Sequence, residues 1–202
     1  MNYASQNVPR LDVDFQRATV DGLDWVVVHY TVQNLLNVPL LVFDRRWSDA
    51  LSAFDRDQVD VEFNGDHAAL RRCYVVPPAG VLTGDDLVPY GRLIAPGETS
   101  ETHFRLREPL REASAWLRLR RRPLSPDEAT TQILRRATLE LGWSALLDRE
   151  ALSAEARVGI EDHGETLLPI PADLIAAGQQ IVSSTPFYAE LRGTRFSGGV
   201  LE

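Results

Sequence analysis

Residues 11–34 read LDVDFQRATVDGLDWVVVHYTVQN, and their spacing decides the fold class. Leu11, Val13 and Phe15 alternate with Asp12, Asp14 and Gln16, the period of a half-buried strand. Asp21-Gly22 is a hairpin turn signal. The return strand sets Val26, Val28, Tyr30 and Val32 on one face and Trp25, Val27, His29 and Thr31 on the other. An antiparallel pair with one apolar face is the expected result.

The same period recurs along the chain. Asn34 to Pro39 reads as a loop, and Leu40 to Phe43 as a short strand. Val59, Val61 and Phe63 alternate with Asp60 and Glu62 before the turn signal Asn64-Gly65-Asp66. A strand from about Ala68 to Val76 closes that hairpin, and Pro77-Pro78 stops it because proline cannot donate to a ladder. In RLIAPGETSETHFRL (Arg92 to Leu106), Pro96-Gly97 turns between two strands. Thr102, Phe104 and Leu106 then point one way and Glu101, His103, Arg105 and Arg107 the other. Ala115 to Arg122 alternates as well, so eight strand-like runs precede residue 123, enough for a complete sandwich.

The last third is mixed. Ser125-Pro126-Asp127-Glu128 carries an N-cap, a first-turn proline and a capping-box glutamate, which predicts a helix to about Arg136. A strand with Leu139, Leu141 and Trp143 inward follows, then a short helical turn at Ala151 to Ala156. Val158 to Ile160 pairs with Glu165 to Ile170 across Glu161 to Gly164. Ala172 to Ala177 reads as one or two helical turns ended by Gly178. Gln180 to Ser184 and Phe187 to Leu191 are the last strands. The fold class is therefore all-β: an immunoglobulin-like antiparallel β-sandwich over residues 8–123, with residues 124–202 as a helix-plus-strand extension packed on it. The alternative is a single unit over 8–202.

The immunoglobulin-like part of that expectation rests on a resemblance. YTVQN (Tyr30 to Asn34), the loop to Pro39, LLVF (Leu40 to Phe43) and LIAPGET (Leu93 to Thr99) resemble bacterial immunoglobulin-like β-sandwich domains, in which a V-x-N…P strand exit and a PGE turn recur. The resemblance covers roughly residues 10–110, and it implies fold rather than activity. VQNLLNVPLLVF and VVPPAGVL (Val75 to Leu82) are more loosely similar to periplasmic pilus-assembly chaperones. Those chaperones hold a subunit's terminal carboxylate with an arginine and a lysine, and the lysine has no counterpart here. Intracellular proteinase inhibitors of similar sandwich form are a further analogy, with no reactive-loop residue to carry over.

Composition removes whole classes of chemistry. The 202 residues hold 29 Asp and Glu against 21 basic residues, a net charge of −8, which argues against a nucleic-acid binder. All 21 basic residues are arginine. Without lysine there is no Schiff base, no P-loop lysine and no kinase lysine. The bias toward Ala, Arg, Leu and Asp suggests a GC-rich bacterial genome. Apolar runs of four or five residues are far below the roughly 20 of a membrane helix. A soluble protein is expected, cytoplasmic as the sequence stands and periplasmic if a leader has been removed.

The chemistry-bearing residues form no coherent catalytic set. Cys73 and His67 are about 20 Å apart on one strand at roughly 3.3 Å per residue, so Cys73 reads as a small buried hydrophobe. His29, His67, His103 and His163 lack metal-ligand spacing. His29 and His103 fall on the polar faces of their strands, where they could meet across a sheet; they read as solvated face residues, the alternative being a metal site built from the pair. Glu161, Asp162 and His163 are a weak metal candidate at a charged hairpin tip. Asp55, Asp57 and Asp60 fail the calcium-loop pattern, because Asp60 and Asp66 stand where Gly and Glu are needed. There is no GxSxG and no GxGxxG after a strand.

One surface has character. Between Glu101 and Arg122 there are seven arginines (105, 107, 111, 118, 120, 121, 122) and three glutamates (101, 108, 112). Alternation sets Arg118, Arg120 and Arg122 on one face beside Trp116, the candidate grip for a protein or anionic ligand. Trp25, Trp47 and Trp143 are expected in the core, the alternative being a sugar-stacking platform. No cofactor is expected. The function expected is a non-catalytic protein-binding module that uses the arginine face or an exposed sheet edge. The alternatives are a hydrolase or metal-dependent enzyme with a site assembled from loops around His163 or His103, and a carbohydrate-binding or chaperone-like sandwich.

Overall fold

The computed structural model describes residues 8–48, 53–74, 90–113, 129–146, 159–170, 175 and 178–196. Their strands are β1 (Arg10–Val20), β2 (Leu23–Gln33), β3 (Leu40–Ser48), β4 (Ala53–Asp55), β5 (Asp60–Asn64), β6 (His67–Arg72) and β7 (Tyr90–Ile94). They continue with β8 (Thr99–Arg107), β9 (Leu110–Arg111), β10 (Ala129–Ala145), β11 (Ile160–Asp162), β12 (Glu165–Pro169), β13 (Gln180–Ser183) and β14 (Phe187–Phe196). The protein is all-β and sandwich-like.

One sheet is β1-β2-β8, and the larger one runs β11-β12-β7-β3-β10-β14-β9. Asp21 and Gly22 take positive φ of 53° and 72°, and the hairpin they close pairs all eleven residues of β1 with β2. Gly97, at φ 78°, turns the chain from β7 in the large sheet to β8 in the small one. His163 and Gly164, at φ 51° and 80°, close the β11–β12 hairpin more tightly than its sequence suggests.

Alternation decides what each strand buries. Val26, Val28, Tyr30 and Val32 of β2 and Phe104 and Leu106 of β8 meet Leu40, Val42, Leu70, Leu139, Leu141 and Trp143 in the main core between the sheets. Leu41 and Phe43 point to the opposite face of β3 and join Leu168, Ile170 and Ile175 in a second cluster. The run LLVF is apolar without interruption because β3 is covered on both faces.

The helix expected to run to Arg136 is corrected by β10, which occupies Ala129–Ala145. A bulge between Leu134 and Arg136 conceals the strand. The N–H groups of Arg135 and Arg136 both donate to the Asp66 carbonyl, at 2.7 and 3.3 Å. Inward positions therefore run Leu134, Ala137, Leu139, Leu141 and Trp143, which breaks a strict period of two. Residues 125–128, 147–158 and most of 171–177 lie outside the described residues; Ile175 and Gly178 are helical, and Gln179 N–H donates to the Ile175 carbonyl at 2.7 Å. The sheets also depart from wholly antiparallel pairing, since β6 lies parallel to β10 and β9 parallel to β14. β6 stops at Arg72, short of the expected Val76.

Candidate functional site

The predicted binding residues Arg118, Arg120, Arg122 and Trp116 lie outside the described residues. The described start of the same arginine-rich run, however, lines a groove of about 570 Å³. One wall is Asp55 at the end of β4 with Asp57, Gln58 and Val59 beyond it. The other is the end of β8 with Arg107 to Arg111, and Trp47 of β3 completes it. Paired hydrogen bonds between Val61 and Ala113, at 2.6 and 2.9 Å, tie β5 to the chain beyond β9.

The floor is apolar, with Val59, Val61, Leu106 and Leu110 all buried. Trp47 is 44% exposed and stands edge-on to Phe54 at 5.3 Å, which itself stands edge-on to Tyr90 at 4.9 Å. Most carboxylates of the groove already have partners. Asp57 accepts the Arg105 backbone N–H at 2.8 Å and pairs with its guanidinium at 2.9 Å. Asp55 accepts the Asp57 N–H at 2.9 Å. Glu108 accepts the Arg192 N–H at 2.8 Å, with Arg17 at 3.6 Å. Arg107 and Arg111 are exposed, and their guanidiniums have no hydrogen-bond or ion-pair partner among the described residues. The groove thus offers an apolar floor, an aromatic wall and two uncommitted cations.

Apart from the groove there is a buried ionic cluster absent from the sequence-based expectations. Asp44 accepts Arg92 at 2.6 and 3.3 Å and the Tyr30 hydroxyl at 2.7 Å. Arg45 pairs with Asp44 at 3.4 Å and with Glu165 at 2.7 Å, and Arg92 also donates to Ser100. Arg72 donates to Tyr30 Oη, to the Asp44 and Arg56 carbonyls, and lies over the Phe104 ring at 4.8 Å. Among the described residues no carboxylate stands within ion-pair distance of Arg72.

Burial alone would raise the Asp44 carboxyl, but Arg92 and Arg45 outweigh it and hold the group well below the usual carboxylate range. Burial would lower Arg45 and Arg92, yet Asp44 holds both above their ordinary values, whereas burial does lower Arg72. Burial also pushes the Tyr30 phenol up to about 12, against the opposing field of Arg72. The cluster joins β2, β3, β6, β7, β8 and β12, so it ties the two sheets to each other.

Parity carries a signal for these residues. Asp44 continues the inward set Leu40, Val42; Arg72 continues Ala68, Leu70; Arg92 precedes Ile94. A register shift between Val42 and Arg45 lets consecutive side chains face the cluster.

The remaining candidates are placed as follows. Trp143 is core, at 4% exposure. Trp25 and Trp47 are corrections to the core expectation: Trp25 faces outward, half-buried with the Arg105 guanidinium 5.7 Å from its ring, and Trp47 lines the groove. Cys73 is buried, and burial pushes its thiol up. Glu161 accepts the Thr166 hydroxyl at 2.7 Å, Asp162 pairs with Arg56 at 2.9 Å, and His163 is 74% exposed at the turn. Among the described residues no three His, Cys, Asp or Glu side chains converge on one point. His29 and His103 do come together, directly opposite each other on β2 and β8. No described helix is long and apolar enough to cross a membrane.

No family model matches the chain, and neither does any curated protein or solved structure.

Proposed function

We propose that the chain is a non-catalytic protein-binding module whose groove takes an extended acidic segment of a partner protein. The observation that carries this reading is the pair of exposed guanidiniums of Arg107 and Arg111, without an ion-pair partner among the described residues, in a groove with an apolar floor that Trp47 also lines. Arginine and tryptophan are the side chains that most often dominate binding energy at such interfaces. A volume of about 570 Å³ suits a few side chains of a peptide. Of the groove's carboxylates Asp57 is held by Arg105, Glu108 by the Arg192 N–H and Arg17, and Asp55 by the Asp57 N–H, an arrangement that positions walls rather than activating a general acid or base.

The immunoglobulin-like reading of the turn motifs is supported by strand order. β1-β2-β8 matches an A-B-E sheet and β3-β10-β14 a C-F-G sheet, with β2 and β3 on opposite layers. Sandwiches of this form present their loops and strand ends to partners, and the groove lies at such an end.

The test is affinity capture with the tagged chain and with a Trp47→Ala, Arg107→Ser, Arg111→Ser variant, using periplasmic and cytoplasmic fractions separately. A stoichiometric partner that the variant loses, and that a synthetic copy of its acidic segment displaces, is the expected result. Capture unaffected by the three changes contradicts the reading.

A further inference from the structure

The outward face of the small sheet carries a row in register across its three strands: Asp14 on β1, His29 on β2 and His103 on β8. The His29 and His103 ring centroids are 5.5 Å apart with planes tilted by 33°. Both residues are exposed, and no ring nitrogen of either has a hydrogen-bond partner among the described residues. The other two histidines differ: His67 is bonded to Thr138 at 3.0 Å, and His163 leans on Asp162 at 3.7 Å.

We propose that His29 and His103 form a two-histidine site for a divalent transition ion of the zinc type. With nitrogen–zinc bonds of about 2.0–2.1 Å, two rings sharing one ion at a tetrahedral angle stand about 5 Å apart between centroids, close to the observed separation. Imidazole is a ligand suited to zinc, copper and nickel. Two rigid strands hold the ligands, so little conformational freedom is lost on binding. Asp14 lies beside His29 in register, with Cβ atoms of such pairs about 4.5–5.5 Å apart. It is the residue placed to accept the far N–H of a ligating imidazole, as carboxylates do in many metal sites. The remaining coordination positions face solvent and fall to water. The site is on the sheet face and does not depend on the groove reading.

Calorimetric titration with Zn²⁺ alone, in a non-coordinating buffer slightly above neutral pH, tests the site. The account expects one ion per chain, released by a chelator. His29→Ala and His103→Ala each weaken binding by about tenfold or more, at least what loss of an outer-shell partner costs. His163→Ala leaves binding unchanged. Because both positions are exposed, each variant keeps the thermal midpoint of the parent, which separates lost ligation from lost folding. No saturable binding up to millimolar Zn²⁺ overturns the proposal. So does binding that survives both sheet substitutions or disappears with His163→Ala.

Discussion

Arg92 donates to both oxygens of Asp44, from Nη2 to Oδ2 at 2.6 Å and from Nε to Oδ1 at 3.3 Å, with both side chains at most 1% exposed. Asp44 is the carboxylate around which Arg45, Arg72 and Arg92 are buried, and its loss leaves the part-exposed Glu165, 2.7 Å from Arg45 and 3.5 Å from Arg92, to balance them. Breaking a buried pair from one side costs about 3–5 kcal/mol. Asp44→Asn is expected to lower unfolding stability by that amount in urea titration. A loss below about 1 kcal/mol would show that the cluster contributes little.

Acid should expose the same dependence. The folded Asp44 carboxyl lies well below its ordinary value, near 3.9 when unfolded. Its contribution is therefore complete above that range and falls away as the pH drops below it. The acid limb of stability against pH should flatten in Asp44→Asn. An identical limb in both proteins would assign acid unfolding to other carboxylates.

Tyr30 acts at the opposite end of the scale. Its phenol is pushed up to about 12, mainly by burial. Folding thus favours the neutral form, and the stability this gives is present below about 10 and lost as the pH rises toward 12. Phenolate absorbance should show a late-titrating component that Tyr30→Phe removes. That substitution also strips a donor from Asp44 and an acceptor from Arg72, at a cost of about 1–3 kcal/mol.

Gly142 tests the packing beneath β10. A Cβ there would stand 2.7 Å from Cys73 Cβ and 3.0 Å from Cys73 Cα, and would also meet Gln179 Oε1. The Cys73 backbone belongs to the chain just beyond β6 and cannot move aside as a side-chain tip can. Gly142→Ala is expected to destabilise by about 1–3 kcal/mol, as overpacked cores do. Thermal unfolding measures it, and an unchanged midpoint would refute the close packing.

The strands were legible where alternation is strict and a turn signal closes the pair, as in Leu11 to Asn34. The stretch Ala129 to Arg136 misled because its capping-box start is a local signal, whereas the pairing of β10 with β14 and β6 is long-range. The bulge at Arg135 removed the one local cue that would have opposed it. The His29–His103 pairing was visible because both residues sit at fixed parity on adjacent strands. The groove was not, since Trp47, Asp55 and Leu110 meet only through tertiary structure. The buried cluster was hidden differently: an Asp or Arg is ordinarily read as solvated, and only its inward parity says otherwise.

The central claim concerns the groove, and selection from a displayed random-peptide library on the immobilised protein tests it most directly. The account predicts enrichment of short segments that pair acidic with apolar residues. Their binding should weaken as salt rises, because the cations are at the rim. It should also be lost on the Trp47→Ala, Arg107→Ser, Arg111→Ser protein while its thermal midpoint stays the same. Peptides of no common charge, or peptides that bind the substituted protein equally well, would contradict it.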